Sequence, residues 1–232
     1  MHPELGFSES EMRKLAERMI RTESQYAKIF LPWVNTFSYQ YGDLDSQPDR
    51  HAGKPITYTP PMKKDIERTH ELERPSVYVM FSGTGSAVEA NEALVRAANA
   101  AGINAYSPPW EKIEGTEKRL PSLLSDAKML AVMGRAGWGT GWQALQLELP
   151  WLVTPFQQGD DPEIYFNNLT IKALRLGREI TGAITSEELT ALATDISPGL
   201  RNLRDATRER FGTTDGIDYM AEAIFADLNR WK

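Results

Sequence analysis

The 232-residue chain contains no cysteine. Without thiols there is no disulfide framework, no thiolate zinc site and no cysteine nucleophile. Basic charge is also short. Lys and Arg number 26 against 32 Asp and Glu, giving a net charge of −6 and a pI of about 5.2. General nucleic-acid binders carry a basic surplus, so nucleic acid is not an expected partner. No apolar run approaches the roughly 18–20 residues of a membrane span, so no transmembrane segment is expected. The opening MHPELGFSES lacks the basic-then-apolar order of a secretory signal. These absences together predict a soluble, cytoplasmic protein. Repeats and low-complexity tracts are lacking too. The three histidines, His2, His51 and His70, sit in terminal or loop-like surroundings, where a lone histidine is ordinarily solvated.

What is present suffices for a core: 41% of residues are hydrophobic. At about 100–200 residues per domain, the length allows one domain with an extension, or two small ones. Two textures divide the chain. Residues 1–74 hold one predicted helix, Glu9 to Ile29, with Ser8 as N-cap, Glu11 completing a capping box and Pro32 as the stop. A Pro-rich connector follows, through Pro48, Pro55, Pro60 and Pro61 to the charged run Lys63–Arg74. From Pro75 onward, strands and helices alternate. Strands are predicted at Val77–Phe81, Ile103–Tyr106, Met129–Met133 and Trp151–Thr154. Helices are predicted at Ser86–Ala101, through Gln146, and at Pro162–Leu174, Ser186–Ile196, Pro198–Phe211 and Gly216–Arg230. That alternation predicts an α/β domain over residues 75–232, a Rossmann-like parallel sheet with helices on both faces.

Ligands of such sheets bind at the carboxyl ends of the strands, and three loops there carry chemistry. Ser82-Gly83-Thr84-Gly85-Ser86 joins the first strand to its helix. Glycines permit a tight turn and close backbone approach, and a helix N-terminus favours a phosphate. The same residues also serve as a plain Gly-Ser turn. A nicotinamide fingerprint would need glycine where Val88 stands, and an acid at the end of the second strand, which reads Ala105-Tyr106-Ser107-Pro108. No Walker P-loop occurs.

The second loop is the densest signal: Arg135-Ala136-Gly137-Trp138-Gly139-Thr140-Gly141-Trp142-Gln143-Ala144-Leu145. Here a planar cation meets a glycine-rich helix start, so helix dipole and guanidinium act on one anion. The dipole contributes about 0.3–1 kcal/mol, and Arg135 is expected to be the stronger of the two attractions. The bland alternative is a surface arginine among turn-forming glycines. The third loop runs from Pro155 through Gln158, Gly159, Asp160 and Asp161 to Asn168. Asp161 is a candidate N-cap with Pro162 at the first helical position. Gln158, Asp160 and Asp161 are the polar groups available to sugar hydroxyls. Capping accounts for one of the two aspartates.

These residues resemble the C-terminal, donor-binding half of a GT-B glycosyltransferase of the UDP-glycosyltransferase and family 28 group. That group's run His-Gly-Gly-x-Gly-Thr-x-x-Glu-Ala-Leu, then a Gly-x-Pro turn, a strand and an Asp-Gln-x-x-Asn-like segment, is matched by Arg135–Leu145, Leu149-Pro150, Trp151–Thr154, and Asp160-Asp161 with Asn167. The resemblance spans residues 75–182. It implies a hexosyltransferase-type enzyme that binds a nucleotide-diphospho-sugar, most often a UDP-sugar, as substrate and transfers the sugar with inversion. No cofactor and no metal are implied. By position, Ser82, Gly83, Gly85 and Ser86 belong near the diphosphate or sugar, and Arg135, Gly137, Trp138, Gly139 and Thr140 near the diphosphate. Gln143 falls at the ribose, Gln158, Asp160 and Asp161 at the sugar, and Trp110 at the base. Arg135 replaces the family histidine and Gln143 the family glutamate. The acceptor-binding domain, which usually supplies the catalytic base, is mostly missing, and residues 1–74 read as its remnant. The base is then expected from an acceptor-domain partner chain, a second copy or a missing N-terminal region. The alternative is a non-catalytic nucleotide-sugar-binding or regulatory module.

Overall fold

The computed structural model describes residues 5–41, 43–80, 88–180 and 185–230. Helix α1, Glu9–Glu23, opens on the expected capping box: the Ser8 hydroxyl accepts from the Glu11 N–H, and the Glu11 carboxylate accepts from the Ser8 N–H at 2.8 Å. The helix ends before the expected Ile29. Ile29–Pro32 is instead strand β1, because Ile29, Phe30 and Leu31 pair readily on a pleated surface. The Pro-rich connector contributes β2 (Arg50–His51) and β3 (Lys54–Thr59), with β1 parallel and β2 antiparallel to β3. Beyond β1, Trp33, Val34 and Leu44 enter the main hydrophobic cluster.

The principal sheet contains β4 (Ser76–Met80), β5 (Asn104–Ser107), β6 (Glu117–Lys118), β7 (Met129–Gly134), β8 (Trp151–Val153) and β9 (Gly177–Glu179). Its order is β6-β5-β4-β7-β8-β9, and every neighbouring pair is parallel. The chain steps outward from β4 to β6, returns to the other side of β4 as β7, and steps outward again to β9. The winding therefore reverses between β4 and β7, which opens a crevice at their carboxyl ends. β4, β7 and β8 are buried along almost their whole lengths, as strands covered on both faces must be. β6 and β9 are additions to the expected strands; each is two or three residues long.

Around the sheet lie α2 (Val88–Ala100), α3 (Trp138–Gln146), α4 (Pro162–Ala173), α5 (Ser186–Phe211) and α6 (Gly216–Arg230). Gly102, with φ of 75°, follows α2 and turns the chain out of the helix in a conformation that glycine adopts without strain. The two helices expected around Pro198 are one: α5 runs through that proline without a break. α3 lies so close to the ring of Trp151 that a Cβ at Gly141 would overlap it. Residues 63–72 are stitched to the same body. Gln146 Nε2 donates to the carbonyls of Lys63 and Thr214, both at 2.9 Å, and the Asp126 carboxylate accepts from the N–H groups of Glu71, Leu72 and Lys128.

Candidate functional site

The loops that leave β7 and β8 meet beside the reversal point. Arg135 follows β7, and its Nη2 donates to Asp160 Oδ1 at 2.9 Å; the side chains are 7% and 2% exposed. Asp160 Oδ2 accepts from the backbone N–H of Gln157 at 3.1 Å, which closes the turn after β8. Arg135 Nε is buried without a hydrogen-bond partner. A second tie runs parallel to the first. Asn167, fully buried on α4, donates through Nδ2 to the Ala136 carbonyl at 2.5 Å and to Glu163 at 3.1 Å. The loop after β7 is thus tied to the loop after β8 by a charged contact and to α4 by a neutral one, and is held in place before any ligand arrives.

α3 begins inside this frame. Its N-cap is Gly137, which has no side chain to satisfy the first-turn amides. By contrast, α1, α4 and α5 are capped by Ser8, Asp161 and Thr185. Gly139, in the first turn of α3, is exposed, and the space where a Cβ would sit is open. Uncapped amides beside open space, at the positive end of a helix, form a ready anion site. Thr140 is half-buried, with its hydroxyl 3.8 Å from the sulfur of Met80 at the end of β4. That contact sets α3 against the strand on the other side of the crevice.

The other expected residues are distributed unevenly. Trp138 is buried. Its indole N–H donates to the Thr36 hydroxyl at 3.0 Å, and its ring stacks on Trp142 at 5.8 Å. Trp142 in turn donates to the Val34 carbonyl at 3.0 Å, so the two indoles hold the N-terminal segment against α3. Gln143 is half-buried, one turn along α3 from Gly139. Gln158 is exposed, with Gly6 lying against its side chain. Asp161 is exposed and accepts from the Glu163 N–H at 2.9 Å, as an N-cap does. Trp110, 65% exposed, stands beyond β5, on the opposite side of β4 from the Arg135 loop. Ser82, Gly83, Gly85 and Ser86 lie outside the described residues. Two contributors were not among the expected site residues: Asn167, present in the Asp160–Asn168 run as its buried amide, and Thr36, which has no local sequence signal.

No protein-family model matches the chain, and no curated protein matches it by sequence. In fold, the chain is similar to CalG4, the calicheamicin glycosyltransferase, with a TM-score of 0.61 and 15% identity over 88% of this chain and 53% of that one. It is also similar to a UDP-glucosyltransferase from Polygonum tinctorium capable of glucosylating indoxyl, with a TM-score of 0.58 and 16% identity over 88% and 54% of the two chains. Phytolacca americana UGT2, solved with UDP-2fluoro-glucose and pterostilbene, gives a TM-score of 0.57 and 13% identity over 88% and 54%. The fold is therefore the Rossmann-like α/β architecture of GT-B glycosyltransferases. The chain spans little more than half the length of these structures. Residues 75–232 make up roughly two-thirds of the chain, so a match over 88% also takes in part of residues 1–74.

Proposed function

We propose that the chain is the donor-binding half of a glycosyltransferase, and that it holds a nucleotide-diphospho-sugar, a UDP-sugar first among candidates, in the crevice between β4 and β7. The observation that carries this reading is the uncapped N-terminus of α3, set beside Gly139 and backed by the Arg135–Asp160 pair. A diphosphate placed there meets amides that have no side-chain cap. Those amides also stabilise the charge that develops on the departing nucleoside diphosphate, because they are fixed before the reaction starts. Gln143, one helical turn away, is positioned for ribose hydroxyls, and the loop after β8 for the sugar. Transfer with inversion follows if a base on an acceptor-binding half, in a partner chain, activates the incoming hydroxyl.

One observation favours a second reading, a nucleotide-sugar-binding module without turnover. Asp160 already neutralises Arg135, so the guanidinium brings less free charge to a leaving diphosphate than an unpaired arginine would.

Calorimetry with UDP, UDP-glucose and uridine tests both readings. Binding of UDP well above uridine supports the donor site, and binding of no nucleotide diphosphate removes it. Arg135→Lys keeps a cation but loses the planar fork. It is expected to weaken UDP roughly tenfold while leaving uridine unchanged; equal losses would show that Arg135 does not act on the diphosphate. Donor hydrolysis measured beside binding separates the enzyme from the module.

A further inference from the structure

A second cavity, of about 320 Å³, lies between α5 and the amino ends of β7 and β8, at the pole of the sheet opposite the crevice. Arg68 and Arg201 line it, and Glu148 is the one carboxylate among its described lining residues. Glu148 accepts from Arg204 Nη1 at 2.9 Å and from Arg201 Nε at 3.3 Å. Burial works against the Glu148 charge, but the two guanidiniums outweigh it and hold its pKa below the ordinary 4.5. Arg68 has no carboxylate within ion-pair distance among the described residues. It donates instead to the carbonyls of Asp126, at 3.3 Å, and Leu147. Arg204 Nε is buried without a partner. Glu148 itself is held in the left-handed region, with φ of 52°, directly after the helix C-cap Leu147, a place where glycine is usual. A carboxylate is unfavourable there, because the C-terminus of α3 already carries roughly half a negative charge. Neutralising the carboxylate and the helix end takes about one and a half positive charges, yet three arginines converge on them.

We infer that this cavity binds a small phosphomonoester, at a site separate from the donor crevice and independent of the donor reading. Charge selects the ligand class. The positive excess is about one and a half, and a phosphate monoester carries about −1.5 to −2 near pH 7, whereas a carboxylate carries a single charge. Guanidinium forks also match phosphate oxygens in pairs. Burial pulls the Arg68 pKa below its ordinary value; Glu148 resists that fall and Arg204 adds to it. An anion held beside these groups relieves the repulsion between the two arginines. Size and lining define the rest of the ligand. The cavity is at the lower end of ligand-pocket volumes, roughly 300–1,000 Å³, and inorganic phosphate alone leaves part of it unfilled. Met129, Leu149 and Pro150 form an apolar wall beside the charges, suited to a compact organic group. What lies next along α5 excludes an extended polyanion. Glu187 and Asp195 border the adjoining hollow, which shares Thr190 and Thr194 with this cavity.

The test is calorimetric titration of the full chain with phenyl phosphate, inorganic phosphate and acetate, near neutral pH and at matched ionic strength. Phenyl phosphate is expected to bind with Kd below about 1 mM. Inorganic phosphate should bind more weakly, because it leaves the apolar wall uncovered, and acetate not measurably. Three variants locate the site. Arg201→Gln removes a charge from the cavity, Thr190→Glu places a carboxylate in it, and Arg208→Gln removes an α5 arginine that does not line it. All three positions are exposed, and circular dichroism verifies that each variant folds. The first two should weaken phenyl phosphate about tenfold or more, and the third by less than about twofold. Four results overturn the proposal: wild type binds neither phosphate compound, either cavity variant binds phenyl phosphate as wild type does, Arg208→Gln weakens it as much as Arg201→Gln, or acetate binds as tightly as phosphate. UDP titration keeps the two claims apart. Arg201→Gln is expected to bind UDP as wild type does, and equal losses of UDP and phenyl phosphate would overturn the separation of the two sites. A wild type that binds phenyl phosphate but no UDP removes the donor reading and keeps this site. One that binds UDP but no phenyl phosphate removes only this site.

Discussion

Arg135 and Asp160 are joined by a 2.9 Å hydrogen bond between charged groups, sealed from solvent where the loops after β7 and β8 converge. Such a pair fixes geometry more than it adds stability, because desolvating two charges consumes much of their attraction. Removing one partner is another matter, since the survivor stays buried and uncompensated. Arg135→Ala is therefore expected to cost about 3–5 kcal/mol in urea unfolding. Asp160→Ala is expected to cost a similar amount, and the double variant clearly less than the two losses combined. Strict additivity would show that the two charges do not depend on each other.

The ring of Trp151 occupies the space that a side chain at position 141 would need. Trp151 is only 1% exposed, so its ring has nowhere to move without disturbing α3 and β8. Gly141→Ala is a helix-favouring change in isolation, worth up to about 1 kcal/mol. The overlap reverses its sign, and a net loss of about 1–3 kcal/mol is expected. Thermal unfolding reads it directly, and a raised Tm would show that α3 leaves room beside the ring for a methyl group.

The parts of the molecule that are legible in the sequence share one property: their signal is local. Val77–Val79 and Ala131–Met133 are continuous apolar runs because both faces of the sheet are covered. Ser8 with Glu11, and Asp161 with Pro162, announce helix starts within four residues. β6 and β9 carry no such signal, since Glu117, Lys118, Arg178 and Glu179 are exposed and too few to show a period. β1 reads as the end of the preceding helix because Ile29 continues its apolar spacing, and only pairing with β3 decides otherwise. In the site, the glycines of the Arg135 loop are legible as a helix opening. The pairing of Arg135 with Asp160 is not, because the residues lie 25 positions apart and each reads as facing a ligand. The indole of Trp138 likewise finds Thr36 across 102 positions.

Asp126 links residues 71 and 72 to the start of β7, and acid should expose that link. Burial works against its charge, but N–H groups from Lys128, Leu72 and Glu71 together with nearby His70 outweigh it, and its pKa falls below the ordinary 3.8. A carboxylate lowered on folding stabilises fully above its unfolded pKa, and that contribution is lost as pH falls through the folded value. The wild-type chain should therefore lose stability on acidification below about pH 4. Asp126→Asn presents an NH₂ group to backbone donors, so it should cost about 1–3 kcal/mol near neutrality and lose less on acidification. Unfolding midpoints measured across this window check both signs. A gap between wild type and variant that stays constant down to low pH would mean that the carboxylate charge is not what the three amides hold.

Pro198 lies inside α5, where proline removes one backbone hydrogen bond and crowds the preceding turn. The carbonyl left without its helical donor belongs to Thr194, an exposed position that water reaches. The turn is bridged from the side chain instead: the Ser197 hydroxyl donates to the Ala193 carbonyl. α5 therefore continues because its outer parts hold it in place. Leu189, Leu192, Ile196 and Leu200 are buried on both sides of the proline and keep the two halves on one line against the core. In a helix interior, proline is about 3 kcal/mol worse than alanine, and the unfolded chain regains roughly 0.4–1 kcal/mol of freedom when proline is lost. Pro198→Ala should thus stabilise the protein by about 2 kcal/mol. Hydrogen exchange should show slower exchange at the amides that flank position 198, from Gly199 onward, together with a higher urea midpoint. If the midpoint falls instead, the packing of α5 depends on the proline ring at position 198, and Pro198 is not a source of strain in the helix.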